Sequence, residues 1–276
     1  MLMKIYLFAW VITALWVVVL CYGFFIEPNT IQVSHIWIEG SALNTVLKGK
    51  TALHISDLHI SADGYREKKL QQLIAQIKPD LIFLTGDYVP WEGCYEPALQ
   101  VLPRLKAPLG VWAVMGDYDY SRPRMSCLFC HEPSSGKPAK AHTVRFLRNN
   151  RDRVELPAGA FSVIGIDLTV DRTLLSEKNM STLIGHEPAI LLHHNPGIFD
   201  YVPISHDVLI LAGDTHGGQI PLPSYIWKLF GYANCYKYMQ GFFKKGLKKM
   251  FVSRGIGTSH FKFRFLRPPE LVVIHF

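Results

Sequence analysis

Among the side chains of this sequence whose types hold divalent transition-metal ions, seven stand out because they fall in short clusters. Asp57 and His59 lie in Asp-Leu-His, Asp87 follows Gly86, and Asp117 stands in Gly116-Asp117-Tyr118-Asp119. His194 lies in His193-His194-Asn195, and Asp214 and His216 in Gly213-Asp214-Thr215-His216. Carboxylate oxygens and imidazole nitrogens are ligands that Zn, Mn and Fe accept. A divalent ion bound by such a set lowers the pKa of its water to near 7, which supplies a nucleophile with no side-chain base. One Asp or His in such a place is commonly a helix cap or a turn residue. Five clusters in succession are poorly explained that way.

Each cluster ends a short apolar run rich in β-forming residues: Leu53 to Ile55, Leu81 to Leu84, Val111 to Met115, Ala189 to Leu192 and Val208 to Leu211. Helical periodicity is read between them over Arg66 to Ile77, Glu96 to Leu105, Ala139 to Asn149 and Arg172 to Ile184. This alternation predicts an α/β architecture, in which ligands gather at the carboxyl ends of strands. Gly86, Gly116, Gly213, Gly217 and Gly218 allow sharp turns beside a ligand. Alternating Ile31, Val33, Ile36 and Ile38 predict an earlier strand within a lead-in over residues 27–49.

Composition supports a folded chain. With 276 residues, 49% of them hydrophobic and 18% charged, the sequence is neither disordered nor collagen-like. Its formal net charge of +7 suits an anionic substrate or anionic lipid better than duplex DNA. The five cysteines are odd in number and scattered, so they form no disulfide framework.

Residues 1–26 are predicted to be a membrane anchor. From Ile5 to Ile26 no residue is charged, and these 22 residues exceed the roughly 20 needed to cross hydrocarbon as a helix. The ending Cys21-Tyr22-Gly23-Phe24-Phe25 lacks the small residues of a signal-peptide cleavage site, and Leu20 before Cys21 does not fit a lipoprotein signal. A single-pass anchor in a bacterial cytoplasmic (inner) membrane is expected. Lys4 precedes the span and no Lys or Arg follows until Lys48, which favours the body outside, although one lysine leaves the side open.

From residue 50 to 276 the chain resembles the calcineurin-like metallophosphoesterases, whose motifs are D-x-H, G-D, G-N-H-D/E, a later His and G-H-x-H. It looks most like the membrane-associated bacterial branch of phosphodiesterases and UDP-2,3-diacylglucosamine hydrolases, sharing a tail like Val252 to Ser259 with Arg264 and Pro269-Glu270. The resemblance implies a four-layer αββα sandwich, two mixed β-sheets flanked by helices, holding two divalent metal ions. Manganese is the expected metal, with iron, zinc or magnesium as alternatives. Carried over by position, Asp57, His59 and His216 would take one ion, Asp117, His194 and Asp214 the other, and Asp87 would bridge. Tyr118 and Asp119 would be catalytic, and Arg254, His260 and Arg264 would contact substrate.

Three residues depart from the motifs: Asp117 stands for Asn, Tyr118 for His and Asp214 for the first His of G-H-x-H. Both ligand changes keep a metal-binding side chain, which reads as a retuned site. Four carboxylates would cancel two divalent ions and favour harder metals. A phenol with a pKa near 10 is a weak acid but can hydrogen-bond a phosphoryl oxygen. The expected function is a membrane-anchored phosphoesterase cleaving a phosphodiester or pyrophosphate bond of a lipid- or nucleotide-linked substrate such as UDP-2,3-diacylglucosamine. The alternative is a catalytically weak metal-binding protein with a regulatory or binding role.

An insert at about residues 121–140 interrupts the pattern. Its Cys127-Leu128-Phe129-Cys130-His131 spells a c-type haem attachment site, and equally half of a zinc site that His142 could complete. A plain loop with reduced thiols is favoured over an additional zinc, and haem least. Between Thr215 and Pro269 there is no acid but many lysines and aromatics. Ser224 to Phe251 is read as an amphipathic, partly helical segment on an anionic membrane surface, with no nucleic-acid partner expected. Aromatics in the core with lysines on a solvated face are the other reading.

Overall fold

The computed structural model describes residues 2–90, 95–120, 144–168, 175–229, 236–259 and 261–276. A first sheet is built from β1 (Gln32–Trp37), β2 (Thr51–Ile55), β3 (Leu81–Thr85), β4 (Gly110–Val114) and β5 (Arg145–Phe146). A second is built from β6 (Asn150–Leu156), β7 (Gly159–Gly165), β8 (Ala189–Leu192), β9 (Val208–Ala212), β10 (Gly241–Lys245) and β11 (Lys248–Val252), while β12 (Glu270–His275) returns to the first.

The first sheet runs β1-β12-β2-β3-β4-β5, parallel except where β12 meets β2. The second runs β10-β11-β9-β8-β7-β6, with a parallel centre and an antiparallel strand at each edge. Both are mixed sheets.

Strand alternation sorts the apolar residues into three cores. Ala52, Phe83 and Trp112 from the first sheet meet Phe161, Ile190, Leu192, Leu209 and Leu211 from the second. Their neighbours Leu53, Ile55, Ile82 and Leu84 face outward onto α3 (Tyr65–Ile77) and α4 (Glu96–Val101). On the other side Ala189, Leu191 and Ile210 pack against Met180 and Ile184 of α5 (Glu177–Ile184). The result is the expected αββα sandwich, with both central sheets buried on two faces. That is why their strands read as continuous apolar runs. A fully buried Phe or Leu in such a core contributes about 1.5–3 kcal/mol.

Helix α3 shows how locally the outer layer is encoded. Leu70, Leu73, Ile74 and Ile77 recur at helical spacing against the core, and the Glu67 carboxylate accepts the Gly64 N–H at 3.1 Å. The helix ends at Lys78, which is in the left-handed region at φ 52°.

The N-terminal helix α1 (Leu2–Cys21) continues through a π-helical turn, Tyr22–Ile26, and a 3-10 turn, Glu27–Asn29. Over Met3–Asn29 it is long and apolar enough to cross a membrane, its most apolar stretch being unburied by the rest of the chain, while Gly23, Glu27 and Pro28 at its end are buried. A short helix, α2 (Ala42–Val46), places Leu43 in the inner core.

Two expected helices are corrected. Residues 144–149 carry β5 and a turn, Phe146 packing beside Tyr88 at 5.7 Å, while 139–143 lie outside the described residues. Among the described residues, the segment from Ser224 is helical only in α6 (Ser224–Leu229) and at Tyr236–Tyr238, and then forms the β10–β11 hairpin. Lys248 and Lys249, read as surface cations, are buried. The ammonium of Lys248 donates to the carbonyls of Phe199 and Val202, and Lys249 pairs with Asp207 at 3.3 Å. Carbonyl-lined pockets satisfy these buried charges, a tertiary arrangement that helical periodicity does not reveal. Cys127, Cys130, His131 and His142 lie outside the described residues.

Candidate metal centre

All seven expected ligand residues lie just beyond strand ends on one rim of the sandwich. Asp57 and His59 follow β2, Asp87 follows β3, Asp117 follows β4, His194 follows β8, and Asp214 and His216 follow β9. Five of them have left-handed backbone: Asp57 at φ 52°, His59 at 42°, Asp87 at 56°, Asp214 at 71° and His216 at 51°. Non-glycine residues adopt this region at a cost, and such strain concentrates where function fixes the backbone. The chain reverses sharply here, which turns each side chain back over the strand ends. Gly116 and Gly213 are required for the same closeness, since a Cβ on either would overlap the carboxylate of Asp87 or of Asp57.

Two ligand groups share one residue. Oxygens or nitrogens of Asp57, His59, Asp87 and His216 lie within 4.8 Å of one another, and so do those of Asp87, Asp117 and His194. His59 Nε2 is 3.2 Å from His216 Nε2 and 3.4 Å from Asp87 Oδ2, while His216 Nε2 is 3.6 Å from Asp57 Oδ1. On the other side His194 Nε2 is 3.5 Å from Asp87 Oδ1 and 3.4 Å from Asp117 Oδ1. Asp214 Oδ1 is farther, at 3.9 Å, and the other oxygen of Asp214 accepts the Asn195 amide. Asp214 therefore borders the second group and is not one of its mutually close atoms.

Backbone carbonyls fix the imidazoles. His59 Nδ1 lies 3.2 Å from the carbonyl of Val89, and His194 Nδ1 lies 2.6 Å from that of Thr85. A carbonyl can only accept, so each Nδ1 carries the proton and each Nε2 turns a lone pair inward, as a metal-ligating histidine requires. His194 Nε2 is buried without a hydrogen-bond partner. Buried polar atoms rarely go unsatisfied, and a lone pair ringed by carboxylates suits a cation. The donor set therefore fits divalent metal ions.

The electrostatics agree. Burial pushes the carboxyls of Asp57 and Asp87 above their usual range, and Asp214 up to about 6. Burial lowers His59 to about 3 and holds His216 well below its ordinary value. Burial would also lower His194, but Asp87, Asp117 and Asp214 outweigh it and hold that imidazole well above its usual value. The chain alone thus concentrates negative charge around His194 Nε2 and draws a positive charge there.

The remaining expected site residues behave differently. Tyr118 lies on the rim, its ring edge-on to His59 at 4.6 Å and its N–H donating to Asp87 Oδ1 at 3.0 Å. The carboxylate of Asp119 is wholly buried and accepts the N–H groups of Asp87 at 2.9 Å, Tyr88 at 2.9 Å and Gly116 at 2.8 Å. It ties the two loops that carry Asp87 and Asp117, so the expectation of a catalytic group gives way to a positioning one. Arg254 was expected at the substrate, but its guanidinium pairs with Glu270 at 3.2 Å and Gln32 at 2.8 Å. Arg264 is fully buried, donating to the carbonyls of Gly257, Arg254, Gly255, Arg267 and His216. Arg254 is held by Glu270 and Gln32, and Arg264 reaches the rim through His216, its Nη2 lying 3.3 Å from His216 Nδ1. His260 lies outside the described residues.

Three groups that position the ligands escaped sequence reading. The carbonyls of Thr85 and Val89 orient the imidazoles, and backbone carries no residue-type signal. Asn195 holds Asp214, and its place directly after His194 and before Pro196 was a visible cue.

A cavity of about 690 Å³ opens over this rim, lined on one side by Asp87, Asp117, Tyr118, Asp214 and His216. The sequence profile of the calcineurin-like phosphoesterase family matches residues 50–217. The metallophosphoesterase YkuE of Bacillus subtilis, itself uncharacterised, is 30% identical over 91% of this chain and 87% of its own length. The UDP-2,3-diacylglucosamine pyrophosphatase LpxG of Chlamydia trachomatis is 24% identical over 90% of each chain. Phosphodiesterase YaeI of Escherichia coli is 27% identical over 66% of this chain and 64% of its own.

Proposed function

The chain belongs to the calcineurin-like phosphoesterase family of metal-dependent hydrolases, and we propose that it is a membrane-anchored, dinuclear phosphoesterase that cleaves a phosphodiester or pyrophosphate bond. One observation carries the reading: Asp87 belongs to both ligand groups and offers a different oxygen to each, Oδ2 toward His59 and Oδ1 toward His194. A shared carboxylate is what two adjacent ions need.

In this reading Asp57, His59 and His216 would hold one ion and Asp117 and His194 the other, with Asp214 beside it and Asp87 shared between the two groups. Bound divalent ions would supply an acidified water and Lewis-acid neutralisation of phosphoryl charge. The chain's own contributions are geometric. Carbonyls of Val89 and Thr85 keep two Nε2 lone pairs inward, and Asp119 locks the loops of Asp87 and Asp117 together. Tyr118 stands at the cavity wall, where its phenol can donate a hydrogen bond to a phosphoryl oxygen. As a weak acid it gives little help to a poor leaving group, which favours esters of nucleotide-like phosphate.

The apolar N-terminal helix supports anchoring in a membrane, and the likeness to LpxG supports a substrate that is lipid- and nucleotide-linked, such as UDP-2,3-diacylglucosamine. Four nearby carboxylates favour Mn over softer ions. Elemental analysis of the full chain, with hydrolysis of bis(4-nitrophenyl) phosphate in Mn and in chelator, tests the core reading. About two ions per chain with chelator-sensitive turnover are expected. No turnover with any divalent metal would leave a metal-binding protein without this chemistry.

A further inference from the structure

The cavity over the metal centre has a second, apolar half, and part of it is the N-terminal helix. Leu20 of α1 and Phe24 of the following turn line it together with Ile220, Leu222, Phe261 and Phe263. These walls continue from the carboxylate end without a break, since Asp87, Asp117 and Asp214 line the same 690 Å³ space. A pure tether would have no reason to enter the active-site cavity.

The helix end is also fixed in place. Glu27 is buried and its carboxylate accepts the backbone N–H groups of Leu266, at 2.8 Å, and Arg267. The N–H of Arg264 donates to the Gly23 carbonyl at 3.0 Å, and Phe24 packs edge-on to Phe263 at 4.8 Å. A carboxylate taken out of water and paired with two backbone donors is a specific latch. Leu20 and Phe24 are at the same time solvent-exposed on the helix that is apolar enough to enter a bilayer. The slot therefore has a charged, metal-binding end and an end open to hydrocarbon.

We propose that the N-terminal helix is a wall of the substrate site, and that the slot formed by Leu20, Phe24, Phe261 and Phe263 takes an alkyl or acyl chain of an amphiphilic phosphoester. The phosphate then lies at the Asp117 and Asp214 end while the chain runs toward the bilayer. This deepens the phosphoesterase reading and rests on it for the position of the phosphate. The latch keeps the depth of the metal centre constant relative to the membrane surface, so chain length becomes a specificity determinant.

The test uses the full chain in lipid nanodiscs with Mn and a series of 4-nitrophenyl alkyl phosphodiesters from ethyl to octyl. A slot adds up to about fourfold in kcat/KM per buried methylene, at about 0.8 kcal/mol each, until it is full. Phe24→Ser is expected to flatten that slope, and Leu20→Trp, which fills the slot, to end it at a shorter chain. Partition into the bilayer is common to all variants and cancels in the comparison. Slopes identical to the parent chain in both variants would overturn the proposal. If no ester is turned over, the phosphoesterase reading fails separately, and a diazirine-bearing hexadecyl phosphate decides the slot without catalysis. Cross-linking at residues 20–24 and 261–263 that excess hexadecyl phosphate suppresses is the expected result. Labelling confined to residues 5–17, or insensitive to that competitor, would overturn it.

Discussion

Arg264 Nη2 lies 3.3 Å from His216 Nδ1, and the same side chain donates to the His216 carbonyl at 3.4 Å. The backbone N–H of Arg264 meanwhile holds Gly23 in the turn that follows the apolar N-terminal helix. One buried arginine thus joins a candidate metal ligand to the N-terminal helix. Its planar fork satisfies carbonyls of several loops at once, an arrangement that lysine's single ammonium does not reproduce. Arg264→Lys is expected to destabilise the fold by about 2–4 kcal/mol and to weaken metal binding at the His216 side. Thermal unfolding and metal titration check this. A substrate contact would instead raise KM and leave the unfolding temperature unchanged.

Asp119 and Asp117 are two residues apart and should respond in opposite ways. Asp117 has 59% of its side chain exposed, so Asp117→Ala is expected to cost metal at the His194 side with little loss of stability. Asp119→Asn keeps one accepting oxygen but turns its N–H2 toward at least one of the backbone donors, which is expected to cost about 1–3 kcal/mol. Stability and metal content of the two variants, measured side by side, separate ligand from brace.

Metal removal should be felt by the whole fold. Asp57 and Asp87 are buried carboxylates whose natural counter-charge is a cation. At a free Mn concentration of about 100 times Kd, binding stabilises by about 2.7 kcal/mol. For a chain of this size that is an upward shift of about 5–10 °C in Tm. Differential scanning fluorimetry with Mn and with chelator measures it, and equal melting temperatures would refute the metal site.

Most of this arrangement was readable because parallel strands buried on both faces announce themselves as apolar runs. The polar clusters after β2, β3, β4, β8 and β9 could then be placed at one rim. What escaped reading depends on partners distant in sequence. β6, with its Arg151, Asp152 and Arg153, is an edge strand whose charges mask its period, and the lysines of β11 are neutralised by carbonyls and by Asp207. Arg254 and Arg264 read as phosphate contacts by charge and by the family-like tail, and their internal partners, Glu270 and Gln32 for the first and loop carbonyls for the second, are not visible in sequence.

Acid should weaken the fold through a buried neutral imidazole. His54 is fully buried, with Nε2 2.8 Å from Thr85 Oγ1 and Nδ1 unpartnered, and burial lowers it to about 3. The unfolded chain takes this proton near pH 6.5 and the folded chain does not, so stability falls as pH drops below about 6.5. At pH 5 the loss is about 2 kcal/mol for this residue, since each pH unit costs about 1.4. His193, lowered to about 4 by burial, adds to the same trend. His54→Phe should be less stable at pH 7 but decline less steeply between pH 6.5 and 5. Unfolding temperatures across that range decide it, and parallel curves for the two proteins would contradict the buried neutral imidazole.

The junction between the N-terminal helix and the body makes a sharper test of coupling. Gly23 is buried beneath the Phe263 ring, and a Cβ at Gly23 would collide with that ring. Gly23→Ala must therefore displace either Phe263 or the helix end, costing about 1–3 kcal/mol as an overpacking change. Phe263→Ala removes the colliding ring at the cost of its own packing. If the two meet as described, the double variant loses less than the sum of the single losses, with a coupling of about 0.5–3 kcal/mol. Strict additivity in the double-mutant cycle would mean that the helix end does not pack on residue 263. Because Arg264 follows Phe263 and holds His216, Gly23→Ala is also expected to weaken metal binding on the His216 side, with recovery in the double variant. That recovery is the signature of a mechanical link between the N-terminal helix and the candidate metal centre, since Gly23 is not one of the candidate ligands.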